Sequence, residues 1–151
     1  MYIFDGAMGT MLQAAGLEEG YCPELFNIER PEVVKDIHAQ YLQHGSDVIT
    51  TNTFGACGLK LEDYDLQDRV REINIAAVKV AKEAIAENKP TARVAGSMGP
   101  TGRFLQPLGN MSFDSIYDTY REQAEALIEG GVDFIIIETI IDVQEMRAAL
   151  L

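Results

Sequence analysis

The chain has no tryptophan, only two histidines and two cysteines, and half as many basic as acidic residues. Each shortage removes a class of function. With 12 Lys and Arg against 24 Asp and Glu, the basic residues are scattered and form no patch that could neutralise phosphates. A nucleic acid and an anionic membrane surface are therefore excluded as partners. Cys22 and Cys57 lie far apart and belong to neither a zinc knuckle nor a disulfide framework, so both read as free, inert thiols. His38 and His44 fall on one predicted helix at a spacing that puts them on different faces, which predicts surface or edge roles and no shared metal. No apolar run approaches the roughly 20 residues of a membrane span, and the start lacks the pattern of a signal peptide, so a cytoplasmic location is expected.

What is present is the material of one domain. The 151 residues are 47% hydrophobic and contain no low-complexity stretch or Pro/Ser-rich linker, which predicts a single unit over residues 1–151 without an internal boundary. A coarse unit recurs along it. Four short apolar runs, Tyr2–Phe4, Asp47–Thr50, Ala92–Ala95 and Val132–Ile137, are each followed by a polar or glycine-rich turn and a helical pattern. Met8, Met11, Leu12 and Ala15 predict a short helix ended by Gly16. Pro31 to Gly45 predicts an amphipathic helix, with Val33, Val34, Ile37, Tyr41 and Leu42 at helical spacing. Residues 66–87 carry a second stripe, Val70, Ile73, Ala77, Val80, Ala81 and Ala84. Ser112 opens a third helix, and Val143, Met146 and Leu150 mark a fourth. The intervening "KLEDYDLQDR" reads as a solvated turn and helix start. Alternating β and α elements imply a parallel sheet covered by helices, an α/β fold. Two architectures fit: a small open doubly wound sheet, or the first half of a (β/α)8 TIM-type barrel, which takes about 250 residues when complete.

In both, ligands bind at the carboxyl ends of the strands. Those ends carry Asp5-Gly6-Ala7-Met8, Thr51-Asn52-Thr53-Phe54, Gly96-Ser97-Met98-Gly99-Pro100 and Glu138-Thr139, while the opposite ends look like ordinary turns. Asp5 and Glu138 could hold an ammonium group, and the amides of "GAMG", which also opens a helix, suit a carboxylate. An α-amino acid carries both groups. The alternative is that Asp5 caps a helix and Glu138 is a solvated loop acid. "GSMGPTGR", residues 96–103, matches neither the dinucleotide fingerprint nor the nucleotide P-loop, so its glycines read as a close backbone turn past a ligand or as a plain loop.

Taken together, "DGAMGT", "CPELFNIERPEVVKDIHAQYLQHGSDVITTNTFGA", "GSMGPTGR" and "FIIIETIID" stand in the order found in the homocysteine S-methyltransferase family, and the detail most resembles its cobalamin-dependent members. The resemblance runs from about residue 3 to the end of the chain. It implies a (β/α)8 barrel in which zinc binds the homocysteine sulfur and presents it as a thiolate for methyl transfer, giving methionine. The donor it implies is methylcobalamin, recharged from methyltetrahydrofolate on other modules. Carried over by motif, Asp5, Gly6, Ala7 and Met8 would hold the amino-acid end of homocysteine, with Glu138 as second acid and Asn52, Thr53 and Ser97 lining the same pocket. The family's zinc cysteines fall in later strands, beyond Leu151, and Cys22 and Cys57 do not match them. Hence the expectation for residues 1–151 is half a barrel that binds no zinc or cobalamin, contributes no catalytic residue and is inactive alone, with open sheet edges through which a homodimer could form. The competing expectation is a non-catalytic α/β binding or assembly module built from the same half barrel.

Overall fold

The computed structural model describes residues 1–151. Three parallel strands, β1 (Val48–Thr50), β2 (Arg93–Met98) and β3 (Phe134–Ile137), lie side by side in that order. Val48 stands opposite Arg93, and Ala95 opposite Phe134. The expected first strand at Tyr2–Phe4 is a correction: it runs parallel along the free side of β1 but forms a single bridge, Phe4 to Val48. Its pairing consists of the Asp5 amide on the Val48 carbonyl at 3.0 Å and the Asp47 and Val48 amides on the Ile3 carbonyl. Ladder contact ends there because the chain turns away at Gly6. β2 is also longer than expected: Gly96, Ser97 and Met98 belong to the strand, and the loop starts at Gly99.

The four segments therefore follow one another in space as they do in sequence. A doubly wound sheet requires a reversal of strand order, and none occurs. Stepwise order is the arrangement of a (β/α)8 barrel. Aromatic packing shows the curl directly. In a flat sheet Phe4 and Phe134, three strand spacings apart, would stand about 14 Å from each other. Their rings meet edge to face with centroids 6.1 Å apart, so the sheet bends and the side chains lean inward over that face. Val48 and Ala95, which share the face between them, are fully buried.

Helices cover the opposite face. α1 (Gly9–Ala14), the short α2 (Phe26–Glu29), α3 (Pro31–Gln43), α4 (Gly58–Leu61), α5 (Val70–Asn88), α6 (Phe113–Gly130) and α7 (Val143–Leu150) follow in chain order. α3 packs on α5, α5 on α6 and α6 on α7. Side-chain alternation within β2 sets which residues meet them. Val94 joins Leu42, Ile49, Ala81, Ala84 and Ile85 in one apolar cluster, and Met98 joins Ile116, Tyr120 and Leu127 in another. Between them Gly96 is packed closely: a Cβ there would sit 3.0 Å from Leu127 Cδ1, so Leu127 would have to shift. Local signals set the helix ends, Ser112 as expected and two others, Gly131 and Asp142, unanticipated. Ser112 Oγ accepts the Ser115 amide, Gly131 takes φ 84° after α6, and Asp142 accepts the Gln144 and Glu145 amides. The "KLEDYDLQDR" segment departs from a simple solvated turn. It carries two 3-10 turns, and Asp63 is held by Lys60 and Arg103.

His38 overturns its expected surface role. It is fully buried in α3, with neither ring nitrogen hydrogen-bonded. The helix turns it inward together with Val34, Ile37 and Leu42. Burial pushes its pKa down to about 4, so the folded protein holds it neutral. The unfolded chain takes up that proton from about pH 6.5 downward. Stability should thus fall between pH 6.5 and 4, by on the order of 3 kcal/mol from this group when complete. Denaturant titrations of wild type and His38→Leu across that range should diverge accordingly, and parallel curves would show that His38 is not held neutral by the fold.

Candidate functional site

A cavity of about 200 Å³ opens at the carboxyl ends of the strands, lined by Gly6, Ala7, Met8, Gly9, Thr50, Thr51, Asn52, Phe54, Ser97 and Glu138. This is the scale of a small metabolite, below that of drug-sized pockets. A larger groove of about 430 Å³ lies between α1 and α3, but its wall is helical, and no strand end contributes to it. Six residues expected from the sequence line the cavity: Gly6, Ala7, Met8, Asn52, Ser97 and Glu138. Gly9, Thr50, Thr51 and Phe54 complete it. The inward-facing position of Thr50 follows from strand alternation opposite Ile49, a signal that was available in the sequence.

Asp5 and Thr53 are placed differently. Asp5 is absent from the lining and half-buried; its carboxylate accepts the Thr50 amide at 2.8 Å and the Thr50 hydroxyl at 3.0 Å. It caps no helix, because the N-cap position of α1 is Met8 and no side chain bonds there. Desolvation raises its pKa to about 6 against the lowering effect of the Thr50 bonds, with Glu138 adding a smaller upward push. Thr53 is fully buried and turned away from the cavity, its hydroxyl donating to the Ser97 carbonyl at 2.7 Å.

Glu138 is neither a free nor a fully solvated loop acid: it is half-buried, and Ser97 Oγ donates to its Oε1 at 2.6 Å. Directly after it, Thr139 adopts φ 64°, an unusual conformation for a β-branched residue, and turns the chain away so that Glu138 ends the strand facing the cavity. Elsewhere in the lining, the amides of Gly6, Ala7 and Met8 donate to no group of the chain. They are unpaired donors on residues that line the cavity.

A buried polar layer holds the lining in place. Gln123 of α6 donates to the Thr53 carbonyl at 2.8 Å, Asn27 to the Asn52 carbonyl at 2.7 Å, and Asn52 to the Pro23 carbonyl at 2.8 Å. Gly99 lies flat against Phe54; any Cβ there would come within 2.7 Å of the ring and of the Phe54 carbonyl. Behind the loop, Glu145 of α7 accepts the Thr101 amide and hydroxyl and the Tyr120 hydroxyl while 4% exposed. Of these supporting residues, Gln123 and Glu145 did not stand out in the sequence.

Sequence comparison identifies the frame. The family model described as homocysteine S-methyltransferase matches residues 2–151. The chain belongs to the homocysteine S-methyltransferase family. Similar proteins include the methionine synthases of Mycobacterium tuberculosis (strain ATCC 25618 / H37Rv), 41% identical, and Mycobacterium leprae (strain TN), 38% identical. Each match covers 97% of this chain and 13% of the relative, so the chain spans a small part of their length. The homocysteine methyltransferase MmuM from Escherichia coli is similar in structure. Its oxidized form superposes with a TM-score of 0.81 at 26% identity, over 98% of this chain and 56% of that one. Its metallated form gives 0.81 over 97% and 57%. This family member thus has the parallel (β/α) architecture of part of those proteins.

Within residues 1–151 no three His, Cys, Asp or Glu side chains converge in a way that could hold a metal ion. The cysteines do not supply thiolates either. Both are buried, and desolvation pushes Cys22 up to about 12 and Cys57 up to about 11. The residues present do not fit zinc.

The electrostatic account of Asp5 is open to direct measurement. The Asp5 carboxyl should titrate near pH 6 by carbon-detected NMR, and Thr50→Val, which removes one donor to the carboxylate, should move it higher. A midpoint in the ordinary range near pH 4 would contradict the burial described.

Proposed function

We propose that this chain forms the amino-acid-binding half of a barrel that methylates the sulfur of homocysteine to give methionine. The observation that carries the reading is one cavity with Glu138 on one wall and the unpaired Gly6, Ala7 and Met8 amides on another. An α-amino acid presents a cation and an anion a few ångströms apart, and this arrangement complements both. On this reading Glu138 takes the ammonium group, oriented by Ser97, and Asp5 adds a second negative charge from beside Thr50. The free amides receive the carboxylate, and Asn52 and Phe54 border the side chain. Orienting the substrate in this way directs its sulfur toward the open inner face of the sheet. That is positioning, the entropic part of catalysis.

Activation of the sulfur and delivery of the methyl group are assigned to parts of the protein other than these residues. The similarity to methionine synthases supports methylcobalamin, recharged from methyltetrahydrofolate, as the donor, with the modules that carry them as partners. A zinc ion, if the whole protein uses one, would need ligands from outside residues 1–151, since none converge here.

Calorimetric titration with homocysteine, with and without zinc, tests the assignment. Binding should be present without zinc and weakened at least about ten-fold by Glu138→Gln, and less by Asp5→Asn, in keeping with the cost of leaving a charged partner unpaired. Affinity should also fall as pH drops below about 6, because Asp5 is neutralised there, and this dependence should flatten in Asp5→Asn. A folded protein whose homocysteine affinity is unchanged by Glu138→Gln would refute the reading.

A further inference from the structure

The loop carrying the three free amides has little of its own to hold it. Beyond Asp5 it makes no ladder bonds, and its helix start has no side-chain cap. Its central support comes from α3, where the Tyr41 hydroxyl donates to the Ala7 carbonyl at 2.8 Å. The same side chain occupies the space above Gly6. A Cβ on Gly6 would lie 2.9 Å from the Tyr41 hydroxyl oxygen, 3.0 Å from Cε1 and 3.2 Å from Cζ. Gly6 and Tyr41 are therefore a fitted pair: the ring rests on bare backbone and the hydroxyl tethers the next carbonyl.

That tether has a geometric consequence. A trans peptide is planar, with its C=O and N–H pointing in opposite directions. Drawing the Ala7 carbonyl toward α3 turns the Met8 amide of the same peptide away from α3, and Met8 is on the cavity wall. We propose that Tyr41 is a positioning residue for the substrate carboxylate: by holding the Ala7–Met8 peptide in one orientation it presents the Met8 amide to the cavity, and a side chain at Gly6 would push the ring from this seat. This rests on the amino-acid-binding reading above and adds to it the residue that sets recognition of the carboxylate. Tyr41 itself is not in the cavity lining, so its effect is transmitted through the backbone.

The discriminating probe is a ligand without the carboxylate. Binding of homocysteine and of its decarboxylated analogue, 3-aminopropane-1-thiol, should be measured by calorimetry in wild type, Tyr41→Phe and Glu138→Gln. Tyr41→Phe removes one hydroxyl and keeps the ring; it should weaken homocysteine roughly three- to ten-fold, the scale of one hydrogen bond, and leave the analogue unchanged. Glu138→Gln should weaken both ligands, since both carry the ammonium group. Gly6→Ala should weaken homocysteine in the wild-type background but add little in Tyr41→Ala, because the clash needs the ring. Equal homocysteine affinity in Tyr41→Phe and wild type, or equal losses for both ligands, would overturn the role of Tyr41 while Glu138→Gln still reports the site. Loss of response in Glu138→Gln as well would overturn the binding reading itself and the Tyr41 role with it.

Discussion

Where a parallel ladder stops, its backbone donors and acceptors must find other partners or remain unpaired, and in this chain nearly everything about the site follows from how that demand is met. At the ends of β1 and β2 it is met by side chains. Thr53 and Gln123 reach backbone carbonyls of the two strand ends, the Thr51 hydroxyl accepts the Ser97 amide, and Asn27 and Asn52 join the β1 end to the segment before α3. These groups are buried, so each bond costs more to lose than the same bond would at the surface. After the bridge at Phe4 the demand is not met. The amides of Gly6, Ala7 and Met8 are left without an acceptor in the chain, and these residues line the cavity.

Buried charge is handled in the same way, by hydrogen bonds in place of counter-ions. Glu24 and Glu145 are buried without a cation: Glu24 accepts the Gly55 amide and the Cys22 thiol, and Glu145 accepts two groups of Thr101 and the Tyr120 hydroxyl. Both tie loops at the carboxyl ends of strands to neighbouring elements. Asp5 and Glu138, also without cations, differ in lying in or beside a cavity where a ligand cation could enter. Both therefore stand where a positively charged group could be received, whereas Glu24 and Glu145 are already satisfied within the fold.

Much of the fold was readable because α/β packing writes a strong pattern. The α5 stripe of Val70, Ile73, Ala77, Val80, Ala81 and Ala84 is buried as its spacing requires, and Ser112 and Gly131 bound α6 through their own local chemistry. Where local pattern was silent, expectation failed. Tyr2–Phe4 has the composition of a strand, but regular pairing depends on how far the chain runs beside Val48, which no spacing encodes. Gly96–Met98 read as loop because glycine and serine mark turns, yet Gly96 is in the strand, paired with Ile135 and packed closely under Leu127. His38 read as a surface residue; which side of α3 is covered depends on the helices packed against it.

The sequence by itself determined the order of elements, the helix ends, the polarity of the strand ends and the family, because each depends on residues close together in the chain or on motifs in fixed order. Only the tertiary structure decided the rest: that Glu138 faces a cavity through Ser97, that Asp5 stands beside Thr50, that Thr53 turns inward, and that Tyr41 rests on Gly6. Each of these is a contact between residues about 35 or more positions apart, or a choice between two faces of one element. Such contacts depend on how far the sheet curls and where each helix docks, and those are properties of the packed chain as a whole.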